Sequence, residues 1–366
     1  MHTALVLGGY GFFGSRICAA LAPDRSIRLL IAGRDLDRAR AATRALALPA
    51  EQAVAVDANG AGLAGLLREA GVDTLVHTAG PFQQQQYVVA RAAIEAGCHY
   101  IDLADGRKFV AGIGSLDRLA RARRVTVISG ASSVPALSSA VVDRYLAEFE
   151  RLDSIRLGIG AGARTPGVAT VKGVFGYCGK PFQSWENGGW APAYGWLDLR
   201  RHQFPPPVGS RWLARCDVPD LELFPQRYPS VRTVSFHAGF ANDPGQLAVW
   251  CLAGLVKAGA LASVEAFAVP LNRISRWTEP LFSDKGGMFV ALEGVGRDQN
   301  PLHITWNLLA GQNHGPHVPC GAAIALVRKL AGGTQLPAGA IPCMGLLTVE
   351  EYLEPLRGLD IREVLG

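Results

Sequence analysis

Residues 4–18 read Ala-Leu-Val-Leu-Gly-Gly-Tyr-Gly-Phe-Phe-Gly-Ser-Arg-Ile-Cys. Four apolar residues run straight into Gly9-Tyr10-Gly11-Phe12-Phe13-Gly14, a G-x-G-x-x-G spacing, and helix-spaced apolar residues follow. A strand that ends in such glycines and reopens as a helix is the phosphate loop of a dinucleotide-binding fold. The glycines allow the tight turn and close backbone approach to a pyrophosphate, and the free N–H groups and dipole of the helix hold the anion. Gly9, Gly11, Phe12, Phe13 and Gly14 are therefore the first expected cofactor contacts. In a chain with 43 glycines the motif alone is weak; its place after the first strand gives it weight.

The choice of dinucleotide falls at the end of the second expected strand, Ile27–Ala32, which continues Gly33-Arg34-Asp35. NAD sites carry an acidic residue about 20 residues past the glycines, on the ribose hydroxyl. Arg34 is instead placed to pair with a 2′-phosphate and to stack on adenine. NADP is the expected cofactor. NAD is the alternative, through Asp35, which suits equally well the N-cap of the next helix. Asp57, closing the third strand, is a candidate for the adenine edge or for a plain turn.

Strand and helix alternate through the first 130 residues. Ala4–Leu7, Ile27–Ala32, Ala53–Val56, Thr74–Thr78, Tyr100–Leu103 and Thr126–Ser129 read as strands, with helices between them, including one over Gln84–Ala96. That rhythm predicts an α/β chain with a Rossmann-type doubly wound parallel sheet. The expected domains are 1–130 for the cofactor, 131–315 for substrate and dimer contacts, and 316–366 as a helical segment returning to the first. Gly176–Pro229, which holds four of the seven tryptophans, reads as a long, sparsely regular excursion over a site or a subunit contact.

Composition narrows the classes. With 366 residues, 49% hydrophobic and 18% charged, the chain buries a sizeable core and is not disordered. The net charge of +5 rests on 30 scattered Arg and 6 Lys, so no nucleic-acid partner is expected. The longest apolar run, Leu247–Val256, is too short to span a bilayer and reads as a buried helix. No basic n-region opens the chain, and the seven cysteines are widely spaced without C-x-x-C, so a cytoplasmic location is expected.

After the fourth strand comes His77-Thr78-Ala79-Gly80-Pro81-Phe82, at the carboxyl edge where such sheets bind ligands. Ala79, Gly80 and Pro81 are expected beside the nicotinamide riboside, with Phe82 packed on its ring. Together with Gly8–Gly14, Ala32-Gly33-Arg34 and Ala96-Gly-Cys-His-Tyr-Ile-Asp102, this order of motifs resembles the saccharopine dehydrogenase/reductase-like oxidoreductases, in their bacterial stand-alone branch. Arg164–Thr170, Gly179–Phe182, Asp217–Asp220 and Gly339–Cys343 extend the resemblance more loosely. It implies a second α/β domain with a mixed sheet, a homodimer, and hydride transfer to or from an imine or amine (C–N) substrate.

Catalytic residues are harder to read. Tyr100 and Asp102 end the fifth strand, with Asp105 and Arg107 just after; Asp102 is the candidate for positioning an amine or moving a proton, and structural capping is its rival. Arg164, Arg273 and Arg276 match no carboxylate clamp. His314, His317 and Cys320, split by prolines, point to no metal. Cys98 is a poor nucleophile beside His99, because neighbours on a strand face opposite ways. Two other readings remain: a carbonyl or C=C reductase of the atypical extended short-chain type, since Gly8, Gly11 and Gly14 also fit G-x-x-G-x-x-G, or a non-catalytic NADP sensor. Tyr177-Cys-Gly-Lys180 lacks the spacing of a Tyr-x-x-x-Lys pair, which counts against the reductase.

Overall fold

Leu5, Val6, Leu7, Leu30, Ile31 and Ala32 are all buried. Consecutive residues buried along a strand mark a sheet covered on both faces. A computed structural model describes residues 1–366 except 61, 84 and 166 and the side chains of 168–170. The expected helix start at Gln84, and Pro166 with the side chains of Val168–Thr170, lie outside the described residues.

The chain begins β1 (His2–Leu7), α1 (Gly14–Leu21), β2 (Ile27–Gly33), α2 (Leu36–Ala45), β3 (Ala53–Ala55), α3 (Leu63–Glu69) and β4 (Thr74–His77). It continues α4 (Val88–Ala96), β5 (His99–Asp102), α5 (Arg107–Ala111), α6 (Asp117–Ala122) and β6 (Thr126–Ser129). Next come α7 (Ser138–Tyr145), β7 (Phe149–Gly160), α8 (Val168–Gly176), β8 (Pro181–Glu186), β9 (Gly189–Tyr194), β10 (Arg200–Gln203) and β11 (Ser210–Arg215). They are followed by α9 (Asp220–Arg227), β12 (Thr233–Gly239), α10 (Asp243–Lys257), α11 (Ala268–Thr278), β13 (Gly286–Gly296) and β14 (Pro301–Ala310). The end of the chain forms α12 (Gly321–Ala331), β15 (Gly339–Pro342), α13 (Val349–Leu353) and β16 (Ile361–Leu365).

Two compact units result: Met1–Leu137 with His317–Pro355, and Ser138–Pro316 with Leu356–Gly366. In the first, strands pair in the order β15-β6-β5-β4-β1-β2-β3, all parallel. This is the 3-2-1-4-5-6 order of a doubly wound dinucleotide fold with one strand added beyond β6. The order reverses between β1 and β4, so the crevice for a ligand opens at their carboxyl ends. Leu5, Leu7, Leu30, Leu75, Tyr100 and Val127 share one core there with Leu63, Leu67, Val89 and Ala93 from the covering helices. Thr348 caps α13 in a capping box with Glu351, and Lys329 of α12 reaches the same Glu351 at 2.7 Å.

The second unit holds a mixed sheet in the order β10-β11-β12-β7-β13-β14-β16, with β8 and β9 as a hairpin against β12. Only β12 and β7 run parallel among these paired strands. The Pro- and Trp-rich excursion is thus more regular than its composition suggests, since it contains β8–β11 and α9. Its tryptophans do different jobs. Trp185 and Trp190 meet edge to face at 5.1 Å, Trp196 stacks on Phe240, and Trp212 lies under Arg201.

Two further expectations change. Leu247–Val256 lies within α10, but Leu247, Trp250 and Leu255 are exposed; only one side, with Gln246, Val249 and Ala253, is buried. The run is continuous in sequence, yet a lone surface helix buries one face. The C-terminal stretch also divides. Residues 317–355 lie in the first unit, whereas 361–365 add an edge strand to the second sheet, where Trp306 Nε1 donates to Glu363 at 2.7 Å. Among the described residues no helix is long and apolar enough to cross a membrane.

Candidate functional site

The glycine loop follows β1 directly. Gly11 N–H donates to Gly8 O at 2.8 Å and Ser15 N–H to Gly11 O at 3.0 Å, which coils the loop into α1. A Cβ at Gly14 would run into the Gly8 carbonyl, so only glycine lets the helix start this close to the strand. Among the described residues, the amides of Phe12 and Phe13 have no hydrogen-bond acceptor. They are the free donors that a pyrophosphate would take. The two rings meet edge to face at 5.0 Å, and the Arg16 guanidinium lies over Phe12 and donates to its carbonyl.

Beside this loop, the fourth-strand turn is tied to the first strand. Thr78 sends both its N–H and its hydroxyl to Leu7 O, each at 2.9 Å. Gln85 Nε2 then staples the turn from the other side, donating to Ala79 O at 2.8 Å and Pro81 O at 3.0 Å. Ala79, Gly80 and Pro81 remain accessible. Phe82 does not: it is buried, edge-on to His77 at 5.0 Å and 5.4 Å from Phe109. Its ring serves the core beneath the turn.

At the end of β2, Asp35 is the N-cap of α2, its Oδ1 accepting from Arg38 N–H at 3.0 Å. Arg34 is exposed, and among the described residues it has no carboxylate partner. Tyr10, an unspecified position of the glycine motif, proves to join the two segments. Its hydroxyl accepts from Asp35 N–H at 3.0 Å, its ring covers Gly33 so closely that a Cβ there would strike it, and Arg38 stacks on it at 4.6 Å. Neither Tyr10 nor Arg38 stands out in the sequence, where their only signal is an aromatic residue in the glycine loop and a glycine at the end of β2. Asp57 is exposed and makes a turn, Oδ1 accepting from Asn59 N–H at 3.1 Å.

Tyr100 and Asp102 are both completely buried. Asp102 Oδ1 accepts from Gly130 N–H at 2.8 Å, Ala104 N–H at 2.9 Å and Ser129 Oγ at 3.0 Å, while the Asp102 carbonyl takes Ala131 N–H at 2.7 Å. This binds the end of β5 to the end of β6. Among the described residues the other oxygen, Oδ2, meets no donor in hydrogen-bonding geometry, and the Tyr100 hydroxyl beside the carboxyl bonds His77 Nδ1 at 3.0 Å. Burial pushes the Asp102 carboxyl up to about 6, against the pull of its donors. Burial likewise holds the His77 imidazole down to about 4, and raises Tyr100 well above its ordinary value. These groups form a buried polar knot behind the turn rather than a surface presented to substrate.

Elsewhere, Arg164 pairs with Glu279 at 3.9 Å, and Arg273 and Arg276 are exposed on α11. Asp105 takes a bond from Gln83 at 3.0 Å. Cys98 is buried, and its thiol is pushed up to about 12, far from a thiolate. Among the described residues no three His, Cys, Asp or Glu side chains group as a metal site.

A doubly wound sheet with this glycine loop defines a dinucleotide-binding fold, followed in the chain by a mixed-sheet unit. Residues 4–131 match the family described as the saccharopine dehydrogenase NADP-binding domain. It is similar in fold to the saccharopine dehydrogenase (L-Glu forming) of Saccharomyces cerevisiae, with a TM-score of 0.69, 13% identity and 100% of both chains covered. An amine dehydrogenase from Mycobacterium smegmatis aligns with a TM-score of 0.50 and 13% identity over 96% of this chain and 95% of that one. No curated protein matches the sequence.

Proposed function

We propose that the chain is an NADP-dependent oxidoreductase that moves a hydride to or from the carbon of a C–N bond in an imine or amine substrate, acting as a cytoplasmic homodimer. The observation that carries the cofactor choice is the end of β2. Asp35 is engaged as a helix cap, whereas Arg34 stands exposed with no carboxylate partner among the described residues. The family match of residues 4–131 supports the same cofactor. The saccharopine dehydrogenase and amine dehydrogenase that share the fold support the C–N substrate class.

In this reading the residues fit the group they would hold. The amides of Phe12 and Phe13, which have no acceptor among the described residues, suit a pyrophosphate, and Gly14 lets the helix start close enough to the strand to present them. Arg34 suits a 2′-phosphate, and the accessible backbone of Ala79–Pro81 suits the nicotinamide riboside. NADP supplies the hydride chemistry when bound; the chain supplies orientation and exclusion of water. Gln85 and Thr78 hold the turn in place. Asp102 and Tyr100 act as positioning residues by fixing the strand ends under it, and Asp57 as a turn residue near the adenine side.

Turnover of a panel of imines, aldehydes and enones with NADPH tests the reaction. Consumption with imines, or oxidation of the matching amines with NADP, is expected. Consumption confined to aldehydes or enones would transfer the chain to the carbonyl or C=C reductases, and tight NADPH binding without any turnover would favour a sensor.

A further inference from the structure

We propose that Arg38, carried on the ring of Tyr10, is a second guanidinium of the cofactor site and that Arg34 and Arg38 together recognise the 2′-phosphate of the adenosine ribose. This rests on the dinucleotide reading above and extends it from one arginine to a built subsite. Tyr10 belongs to the glycine loop, and its hydroxyl takes the Asp35 N–H at 3.0 Å, so the loop that faces the pyrophosphate is joined to the strand end that faces the ribose. The Tyr10 ring lies against Gly33 on the inside. Arg38 stacks on it with 4.6 Å from the guanidinium carbon to the ring centroid. A stacked guanidinium keeps its N–H donors in plane and free at the edge, which is the geometry that meets a phosphate with two parallel bonds.

Charge placement gives independent support. Arg34 immediately precedes the Asp35 cap of α2, and Arg38 lies in the first turn of that helix. Cations there oppose the helix dipole. Among the described residues neither has an acidic partner, although Asp37 of the same turn pairs with Arg40 at 3.5 Å. Two exposed guanidinium groups at the positive end of a helix, without a carboxylate partner among the described residues, would be offset by an anion bound there. Asp35 does not supply it: its Oδ1 accepts the Arg38 backbone N–H at 3.0 Å.

The test is equilibrium titration of the full chain with NADPH, NADH, 2′,5′-ADP, 5′-ADP and inorganic phosphate. The wild type, Arg38→Ala, Arg38→Lys and Tyr10→Leu are compared, with melting temperatures confirming that each variant folds. Loss of one charge-assisted phosphate contact is expected to weaken NADPH and 2′,5′-ADP about tenfold or more in R38A. NADH and 5′-ADP should stay within about twofold of wild type on the same scale. R38K, which keeps the charge but not the planar donors, should fall between wild type and R38A, and Y10L should lose NADPH affinity in parallel. Inorganic phosphate binding as tightly as 2′,5′-ADP would overturn the assignment to a nucleotide phosphate. R38A binding NADPH as wild type does, or weakened equally for NADPH and NADH, would overturn the role of Arg38 while leaving the dinucleotide site standing. Wild-type protein that binds neither dinucleotide would remove both readings.

Discussion

Replacing Asp102 by asparagine is expected to stabilise the protein above neutral pH, although it removes a fully buried charge-bearing group. The carboxyl is raised from 3.8 to about 6, with burial as the main cause. A carboxyl that holds its proton more tightly when folded contributes stability below its unfolded value, and that contribution is lost as pH rises from about 4 to about 6. At about 1.4 kcal/mol for each tenfold change in proton affinity, the ionised group costs the folded state about 3 kcal/mol at pH 8. Asparagine carries no such cost. Its Oδ1 retains the acceptor role toward Gly130, Ala104 and Ser129, and its Nδ2 takes the place of Oδ2, beside the Tyr100 hydroxyl, whose oxygen can accept from it. Calorimetry from pH 4 to 8 should show Asp102→Asn melting roughly 5–10 °C above wild type at pH 8 and converging with it near pH 4. Asp102→Ala, which strands two buried amides and a hydroxyl, should be less stable by about 3–5 kcal/mol at every pH. An asparagine variant less stable than wild type at pH 8, or a difference independent of pH, would refute the reasoning.

His77 should give the opposite slope. Its neutral ring is held down to about 4, so the stability it contributes is present above about pH 6.5 and lost as pH falls toward 4. His77→Phe should flatten that acid limb in thermal melts, and an unchanged limb would contradict it. Gly14→Ala drives a methyl into the Gly8 carbonyl; equilibrium titration should show dinucleotide affinity reduced about tenfold or more, and wild-type affinity would dismiss the close approach. Thr348→Ala removes the capping box of α13 and should cost about 1 kcal/mol in denaturant unfolding, with no effect on cofactor binding.

The parts of the fold that the sequence reveals are those whose physics is local. β1, the glycine turn and α1 adjoin one another, so spacing alone identifies them. The other central strands of the first sheet are almost wholly buried on both faces, and their short apolar runs announce them in the sequence. β15 is different: Gly339–Pro342 pairs with Thr126–Ser129, more than 200 residues earlier, at a sheet edge where its proline is tolerated. Nothing within four residues predicts that. β8–β11 hide because half-exposed strands rich in Pro, Trp and Arg resemble loops. In the site, Arg34 is legible because an exposed charge needs no neighbours to be noticed. Tyr10 and Arg38 acquire meaning only when the loop is folded against Gly33, and Phe82 and Asp102 only when burial shows which way each side chain turns.

The central claim is an NADP site built at the ends of β1 and β2. Calorimetric titration of the wild-type chain with NADPH and NADH, side by side at about 0.1 M salt, tests it most directly, because surface charges still act at that ionic strength. Saturable binding of both, with NADPH tighter by about tenfold or more, is predicted. Equal affinities, or NADH the tighter of the two, would contradict it.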